Sequence, residues 1–260
     1  MSARIEASSL ERELVRMAVQ IATDTSHQYS ELMPVRIRCH PLPFFGSLER
    51  ACVITLGLNP STHEFASERK WSSVTADKLP DELVNYWTNE ERSPHPWFHA
   101  WSTILSDLGI AYSSNAAHID LSPRATNSRK GKLRSLFISM LQTDAPVWIE
   151  ALRRAPNCKL ILAAGSATND PRRGYINQFI SQMLSGSGVR LEGEWRPTHG
   201  EGQTASHTIC LPGGRNIPFF FCSTGPTIRD GSVLVGACRE NMKQLKRHLD
   251  TSTSEDHASA

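Results

Sequence analysis

Four short apolar segments recur along the chain, and each runs into small or polar residues. The segments are ACVITLG, AAHID, KLILAAG and IPFFFC. Their apolar character is that expected of strands buried on both faces of a parallel sheet. Helix-like segments such as YINQFISQMLSG lie between them, and VGACRENMKQLKRHL follows the last one. Strands that alternate with helices are typical of an α/β fold. The sequence therefore predicts a three-layer α/β/α sandwich with a mostly parallel central sheet.

The length of 260 residues suits one such domain with added segments. We predict a single domain over residues 1–249, in which residues 1–33 form a helical extension and Ser9 is the N-cap of an amphipathic helix. A hairpin is expected at one edge of the sheet, between about Val189 and Cys210. Residues 250–260 are small and polar, which predicts a disordered tail.

The composition excludes several classes of protein. With 39% hydrophobic and 21% charged residues, the chain is neither disordered nor collagen-like. Lys and Arg exceed Asp and Glu by only 28 − 26 = 2, so the chain is not a strongly basic nucleic-acid binder. The N-terminus has no apolar signal segment, and no apolar run approaches the ~20 residues that span a bilayer. We therefore expect a cytoplasmic protein with no membrane association.

The sequence offers no site typical of a metal or a cofactor, and none is expected. The six cysteines are scattered, with no C-x-x-C pair. His199, Glu201 and His207 are too few for a metal site, and a surface loop explains them better. Neither a G-x-S-x-G segment nor a G-x-x-x-x-G-K-[ST] segment occurs, which argues against an α/β-hydrolase and a P-loop NTPase.

The segment after the first predicted strand, GLNPST, presents an asparagine. Pro60 biases Asn59 toward an extended backbone, and Gly57 allows a close approach at the strand end. The amide of Asn59 both donates and accepts, so it can hold a water molecule or a base edge. An Asn-Pro turn without a chemical role is the plain alternative, and on this segment alone it is the better one.

Two further segments follow predicted strands. IDLSPRAT carries Asp120, which either points into a pocket or is a solvated residue at a strand end. CSTGPTIRDG carries Ser223 and a Gly-Pro turn, which either binds phosphate through backbone N–H groups or is an ordinary loop. Because ligands bind at the carboxyl ends of parallel strands, we expect Asn59, Asp120 and Ser223 at one edge of the sheet.

In this order, the three segments resemble the motifs of the uracil-DNA glycosylase superfamily, over roughly Val53 to Leu249. GLNPS is similar to the first motif, IDLSPRAT to the second, and STGPTIRDGSVLVGACRENMKQL to the third with its helix. The resemblance implies a uracil-DNA-glycosylase-like fold and hydrolysis of the N-glycosidic bond of a base flipped out of DNA. It is greatest to the mismatch-type branch, in which the residue at the position of Asn59 orients the attacking water.

The resemblance also implies roles for other residues. Ser223 stands where the uracil enzymes have a His that donates to the leaving base, so backbone N–H groups and the hydroxyls of Ser223 or Thr224 would have to assist catalysis in its place. The residues that would bind the base are Gly57, Leu58, Ser61, Phe65, Trp71 and Asp120, with an aromatic ring stacking on it. The residues that would contact DNA are Arg124, Arg129, Lys130, Lys132, Thr227, Ile228 and Arg229. Of these, Thr227 or Ile228 would insert into the duplex and fill the space that the flipped base leaves. Packing of the aromatic residues and a solvated basic helix entrance are the plain alternatives.

Two departures from the superfamily pattern bear on the substrate. Ser61 stands where uracil-selective enzymes have a bulky Tyr, which leaves room beside the pyrimidine C5. Asp120 stands where an Asn reads uracil, and an ionised carboxylate, which only accepts, suits the N4 amine of cytosine. We therefore expect excision of a modified cytosine or other 5-substituted pyrimidine, such as hydroxymethylated or glucosylated cytosine of phage DNA, in antiphage defence. An abasic site would be the product, because the motifs contain no Lys for a Schiff base.

Three alternatives stay open at this point. The first is a repair glycosylase for uracil or mismatches. The second is a non-catalytic DNA- or nucleotide-binding protein of the same fold, which the degenerate third motif keeps open. The third is a hydrolase of free nucleosides, which would not need the basic segment RATNSRKGKLR. DNA is the expected partner, and no obligate protein partner is evident.

Overall fold

The computed structural model describes residues 4–33, 40–60, 71, 74–89, 94–126, 133–164, 188–197, 203–222 and 231–250. The strands in these ranges are β1 (Phe44–Phe45), β2 (Val53–Gly57), β3 (Ala116–Asp120), β4 (Leu160–Ala164), β5 (Arg190–Pro197), β6 (Gln203–Cys210) and β7 (Asn216–Cys222). The helices are α1 (Ser9–Asp24), α2 (Leu79–Val84), α3 (Trp97–Asp107), α4 (Arg134–Arg154), α5 (Gly231–Glu240) and α6 (Met242–Asp250), with a 3₁₀ turn at Ser30–Leu32.

The seven strands described form one mixed sheet in the order β1-β3-β2-β4-β7-β6-β5. The central strands β3, β2, β4 and β7 are parallel. β1 pairs antiparallel with β3 at one edge, while β6 and β5 continue antiparallel from β7 at the other. The predicted α/β fold with a mostly parallel centre is confirmed, and so is the hairpin at one edge. β1 was not predicted, because two phenylalanines in a Pro-rich stretch give no period of alternation.

Helices cover both faces of this sheet. Successive side chains of a strand point to opposite faces, so Ile54 packs with α1, α2 and α4 while Val53 packs with α3, α5 and α6. The largest buried side chains lie on both faces of the sheet: Trp148 lies on the face of Ile54, and Trp101 lies on the face of Val53. Within the described ranges, no helix is long and apolar enough to cross a membrane.

The N-cap of α1 is Ser8, one residue before the predicted Ser9. The Ser8 hydroxyl accepts from the N–H of Glu11, and the Glu11 carboxylate accepts from the N–H of Ser8. This reciprocal pairing needs Glu three residues after the cap, which only Ser8 provides. The other Glu11 oxygen accepts from the Ser47 hydroxyl and, at 2.8 Å, from the N–H of Leu48. The buried Glu11 therefore joins the N-terminal helix to the segment before β2.

The final helix predicted from VGACRENMKQLKRHL is divided into α5 and α6 at Asn241. The N–H of Asn241 bonds to the carbonyl of Cys238, and its side-chain amide donates to the carbonyl of Ala237 at 2.8 Å. Asparagine side chains compete in this way with the regular helical hydrogen bonds. The helix predicted from YINQFISQMLSG lies outside the described residues. Asp250, the first residue of the tail predicted to be disordered over residues 250–260, is instead the last residue of α6, and residues 251–260 lie outside the described residues.

Candidate active site at the carboxyl ends of β2 and β3

β2 and β3 bring two predicted site residues to one edge of the sheet. Gly57 lies opposite Asp120 in the parallel register. Beyond the strands, the N–H of Leu121 donates to the carbonyl of Gly57, and the N–H of Ser122 donates to that of Leu58, both at 3.0 Å. The two loops therefore leave the sheet side by side, which places Asn59 and Asp120 at the same edge.

Asn59 is buried, and its amide has a defined orientation. Its Nδ2 lies 3.3 Å from the carbonyl of Arg124, 3.2 Å from the carbonyl of Pro60 and 3.3 Å from the Thr126 hydroxyl. Carbonyl oxygens only accept, so the NH₂ group must face them. The Oδ1 atom is buried, and among the described residues it has no hydrogen-bond partner. It is therefore a buried acceptor for which the described residues supply no donor.

Asp120 is buried, and among the described residues one of its two oxygens has a partner. Its Oδ1 lies 3.3 Å from Nε2 of His118, and the side chains of both residues are 3% exposed. Its Oδ2 is buried and has no hydrogen-bond partner in the ranges that the structure covers. A buried polar atom without a partner costs about 1–3 kcal/mol. Such an atom at a strand end is a candidate contact for a ligand that supplies a donor.

Gly57 makes the position of Asp120 possible. A Cβ atom at residue 57 would lie 2.3 Å from the Asp120 Oδ1 and 3.0 Å from the His118 imidazole. The close approach expected at Gly57 therefore occurs. Among the described residues, the group that approaches the Gly57 backbone most closely is the carboxylate of Asp120. Leu58, which follows it, is half-buried against the sheet core.

A chain of hydrogen-bonding groups continues from Asp120 into the protein. Nδ1 of His118 lies 2.9 Å from the Thr55 hydroxyl, which lies 2.7 Å from the hydroxyl of Tyr112. Burial raises the pKa of Tyr112, so its hydroxyl stays neutral. The sequence reasoning missed His118, Thr55 and Tyr112. The His-x-Asp spacing was a usable signal, because residues i and i+2 of a strand share one face.

Aromatic rings surround the imidazole of His118. Phe45 stacks on it with ring centroids 6.0 Å apart, and Trp97 and Phe98 approach edge-on at 5.0 Å. These rings exclude water from one side of the His118–Asp120 pair. In such surroundings, hydrogen bonds to charged groups are stronger than in water.

Arg124 has a structural role instead of the predicted contact with DNA phosphates. Its guanidinium is buried and donates to Oδ1 of Asp144 through two nitrogens, at 2.6 and 3.2 Å. The Ser122 hydroxyl donates to the other Asp144 oxygen at 2.5 Å, and the guanidinium lies over the Tyr29 ring. Burial raises the pKa of Asp144, and the charge of Arg124 opposes that rise. This cluster attaches the loop after β3 to α4.

Trp71, predicted as one of two rings that could stack on the base, lies in the hydrophobic core. It is 3% exposed and stacks on Tyr86 with centroids 6.2 Å apart, with Phe45 at its edge. Its contact with a base stays a prediction.

Ten of the predicted site residues lie outside the described residues. They are Ser61, Phe65, Arg129, Lys130, Lys132, Ser223, Thr224, Thr227, Ile228 and Arg229. In the part of the chain that is described, no three His, Cys, Asp or Glu side chains are grouped to hold a metal ion.

Comparisons with known proteins identify no relative from which a function could be inferred. No model of a known protein family matches the chain, and a search of curated proteins finds no significant match. The function of the protein is therefore inferred from the residues at this edge of the sheet.

Proposed function

We propose that the protein is a DNA glycosylase that hydrolyses the N-glycosidic bond of a flipped-out modified cytosine or other 5-substituted pyrimidine and leaves an abasic site. One observation carries the proposal. Two buried acceptor oxygens, Oδ1 of Asn59 and Oδ2 of Asp120, lie at the carboxyl ends of the neighbouring parallel strands β2 and β3. Neither oxygen accepts a hydrogen bond from a donor among the described residues. Buried polar atoms normally have partners, so a ligand with two donors suits this edge.

Asn59 would orient the water that attacks the sugar. With its NH₂ group held by the carbonyls of Arg124 and Pro60, Asn59 can accept a hydrogen bond from that water only through Oδ1. The water would then direct a lone pair toward the anomeric carbon, and holding it in that geometry lowers the entropic part of the barrier. Ser223 and Thr224 would donate to the base as it leaves with negative charge.

Asp120 would read the base. Its Oδ2 can accept a hydrogen bond from the exocyclic amine of a cytosine. A uracil would instead place a carbonyl oxygen against a carboxylate oxygen, and two acceptors in contact disfavour that base. Ser61, with its small side chain, would leave room for a group on the pyrimidine C5, as in hydroxymethylated or glucosylated phage DNA. The protein would then act in antiphage defence.

DNA would be bound beside this edge. Arg129, Lys130, Lys132 and Arg229 are the proposed phosphate contacts, and such contacts make binding weaker as salt increases. Extrusion of the base costs a few kcal/mol, which stacking and contacts in the pocket offset.

A matched set of duplexes tests the proposal. Each duplex carries one target base, and the set varies C4 (amine or carbonyl) independently of C5 (hydrogen, methyl, hydroxymethyl or glucosylated hydroxymethyl). Released base is quantified by mass spectrometry, and abasic sites are revealed by alkaline cleavage. We expect release from duplexes whose target combines the C4 amine with a C5 substituent.

The Asn59→Ala protein, purified in parallel, is the control for contaminating glycosylases, because base released by that preparation would come from a contaminant. Release from uracil duplexes alone would replace the proposed substrate by uracil. DNA binding without release of any base would contradict the glycosylase proposal and indicate a non-catalytic binding protein.

A further inference from the structure

His118 is a buried titratable residue to which the proposed reaction assigns no step. It lies between Thr55 on β2 and Asp120 on its own strand, and its ring is enclosed by Phe45, Trp97 and Phe98. Among the described residues, the charged group that faces it is Asp120. An imidazole in this position can donate a hydrogen bond to the carboxylate.

The hydrogen bonds of this cluster favour one direction. If the Tyr112 hydroxyl donates to Thr55 and Thr55 donates to Nδ1 of His118, the remaining imidazole proton is on Nε2 and points to Oδ1 of Asp120. In the opposite direction, a bare Nε2 would face the carboxylate, and two sets of lone pairs would meet at 3.3 Å. That arrangement is unfavourable away from water. A second bond, to the other nitrogen, fixes the tautomer of a histidine in this way.

We propose that His118 is a positioning residue that donates from Nε2 to Oδ1 of Asp120, holds the carboxylate with Oδ2 directed at the bound base, and so makes the site select bases with an exocyclic amine. The inference rests on the proposed function for its substrate. Without the donor, Oδ1 loses the contact that orients the carboxylate among the described residues, so Oδ2 no longer meets the exocyclic amine in a fixed geometry. Loss of the His118 donor would therefore lower the preference for bases with an exocyclic amine.

Two substitutions separate the donor from the bulk of the side chain. In His118→Gln, the side-chain NH₂ group can replace the Nε2 donor, whereas His118→Leu removes it. Single-turnover release is measured for two duplexes that differ only in the amine or carbonyl at C4. We expect His118→Leu to lower the preference for the amine at least about tenfold, as for one lost hydrogen bond to a charged group, and His118→Gln to retain most of it. An unchanged preference in His118→Leu, or an equal loss in both variants, would overturn the role of the donor.

Nuclear magnetic resonance of the wild-type imidazole tests the same assignment without any reaction. Long-range ¹H–¹⁵N spectra, with the His118 signals identified by their loss in His118→Gln, are expected to show a proton on Nε2. A bare Nε2 would overturn the proposal even in a protein that releases base. If instead Nε2 carries its proton and the wild type releases no base from any duplex, the proposed function and the base preference fail while the His118–Asp120 contact stands.

Discussion

Two buried aspartates lie on either side of the segment that follows β3, and their surroundings differ. Asp144 accepts two hydrogen bonds from Arg124 on one oxygen and one from Ser122 on the other. Among the described residues, Asp120 faces the imidazole of His118, 3.3 Å from one oxygen, and its second oxygen has no partner. In the part of the chain that the structure describes, both oxygens of the first carboxylate therefore have partners, and one oxygen of the second does not.

The difference separates a structural carboxylate from one that is available to a ligand. A buried charge with a full set of partners fixes the geometry of its surroundings, and loss of one partner destabilises the fold. A buried oxygen without a donor lowers stability, and active sites are where such costs are commonly retained. The Asp144 cluster thus holds the loop, while Asp120 presents an oxygen to whatever binds there.

Removal of the Asp144 carboxylate is expected to have the largest effect on stability. Asp144→Ala would leave the Arg124 guanidinium buried without its counter-charge, which typically destabilises a fold by about 3–5 kcal/mol. Urea denaturation followed by circular dichroism measures the change. Asp107→Ala, at a partly exposed carboxylate paired with Arg239, is the control with a much smaller effect. An Asp144→Ala protein as stable as the wild type would remove the distinction between the two carboxylates.

A methyl group at residue 57 is expected to displace the carboxylate of Asp120 directly. In Gly57→Ala, the new Cβ would lie 2.3 Å from Oδ1 of Asp120, so the carboxylate must move. We expect destabilisation of about 1–3 kcal/mol, as for other overpacked sites, together with at least tenfold slower base release. Gly236→Ala is the matched control, because nothing lies within 4 Å of a Cβ at that helical position. Unimpaired release by Gly57→Ala would show that the position of Asp120 is unimportant.

The same substitution at both aspartates gives a sharper contrast. Asp120→Asn removes a charge whose second oxygen has no partner among the described residues, so we expect a stability within about 1 kcal/mol of the wild type and a large loss of cytosine-type base release. Asp144→Asn removes a charge that Arg124 requires, so it should lose stability in urea. Parallel denaturation curves and single-turnover assays report both properties. Equal stability losses in the two variants would contradict the comparison.

The ion pair between Asp107, which is partly exposed, and Arg239 provides the smallest expected effect. The hydrogen bond from Arg239 lowers the pKa of Asp107 below its ordinary value of 3.8. The ion pair therefore contributes stability above pH 3.8, and that contribution is lost as the pH falls through the lowered pKa. The difference in unfolding free energy between the wild type and Arg239→Ala should shrink as the solution is acidified below pH 3.8. A difference that grows on acidification would contradict this sign.

The sequence predicted the edge of the sheet better than it predicted the contacts there. Asn59 and Asp120 both follow apolar runs, and parallel strands bring their carboxyl ends together, so their common location was predictable. The role of Arg124 was not, because its partner Asp144 is 20 residues away in the middle of a helix. A basic residue beside a motif gives no sign of such a buried pair. The chain of hydrogen-bonding groups that continues from Asp120 through His118 and Thr55 depends on the register of Thr55 with His118, which only the folded sheet reveals.

The most direct test of the account is base release by Asn59→Ala beside the wild type, from a duplex that carries glucosylated hydroxymethylcytosine. Asn157→Ala is the matched control, because that exposed asparagine precedes β4 at the opposite end of the sheet. The account predicts rapid release by the wild type and the control, release at least about a hundredfold slower by Asn59→Ala, and equal binding of the duplex by all three. Equal release rates for the wild type and Asn59→Ala, or no release by either, would contradict it.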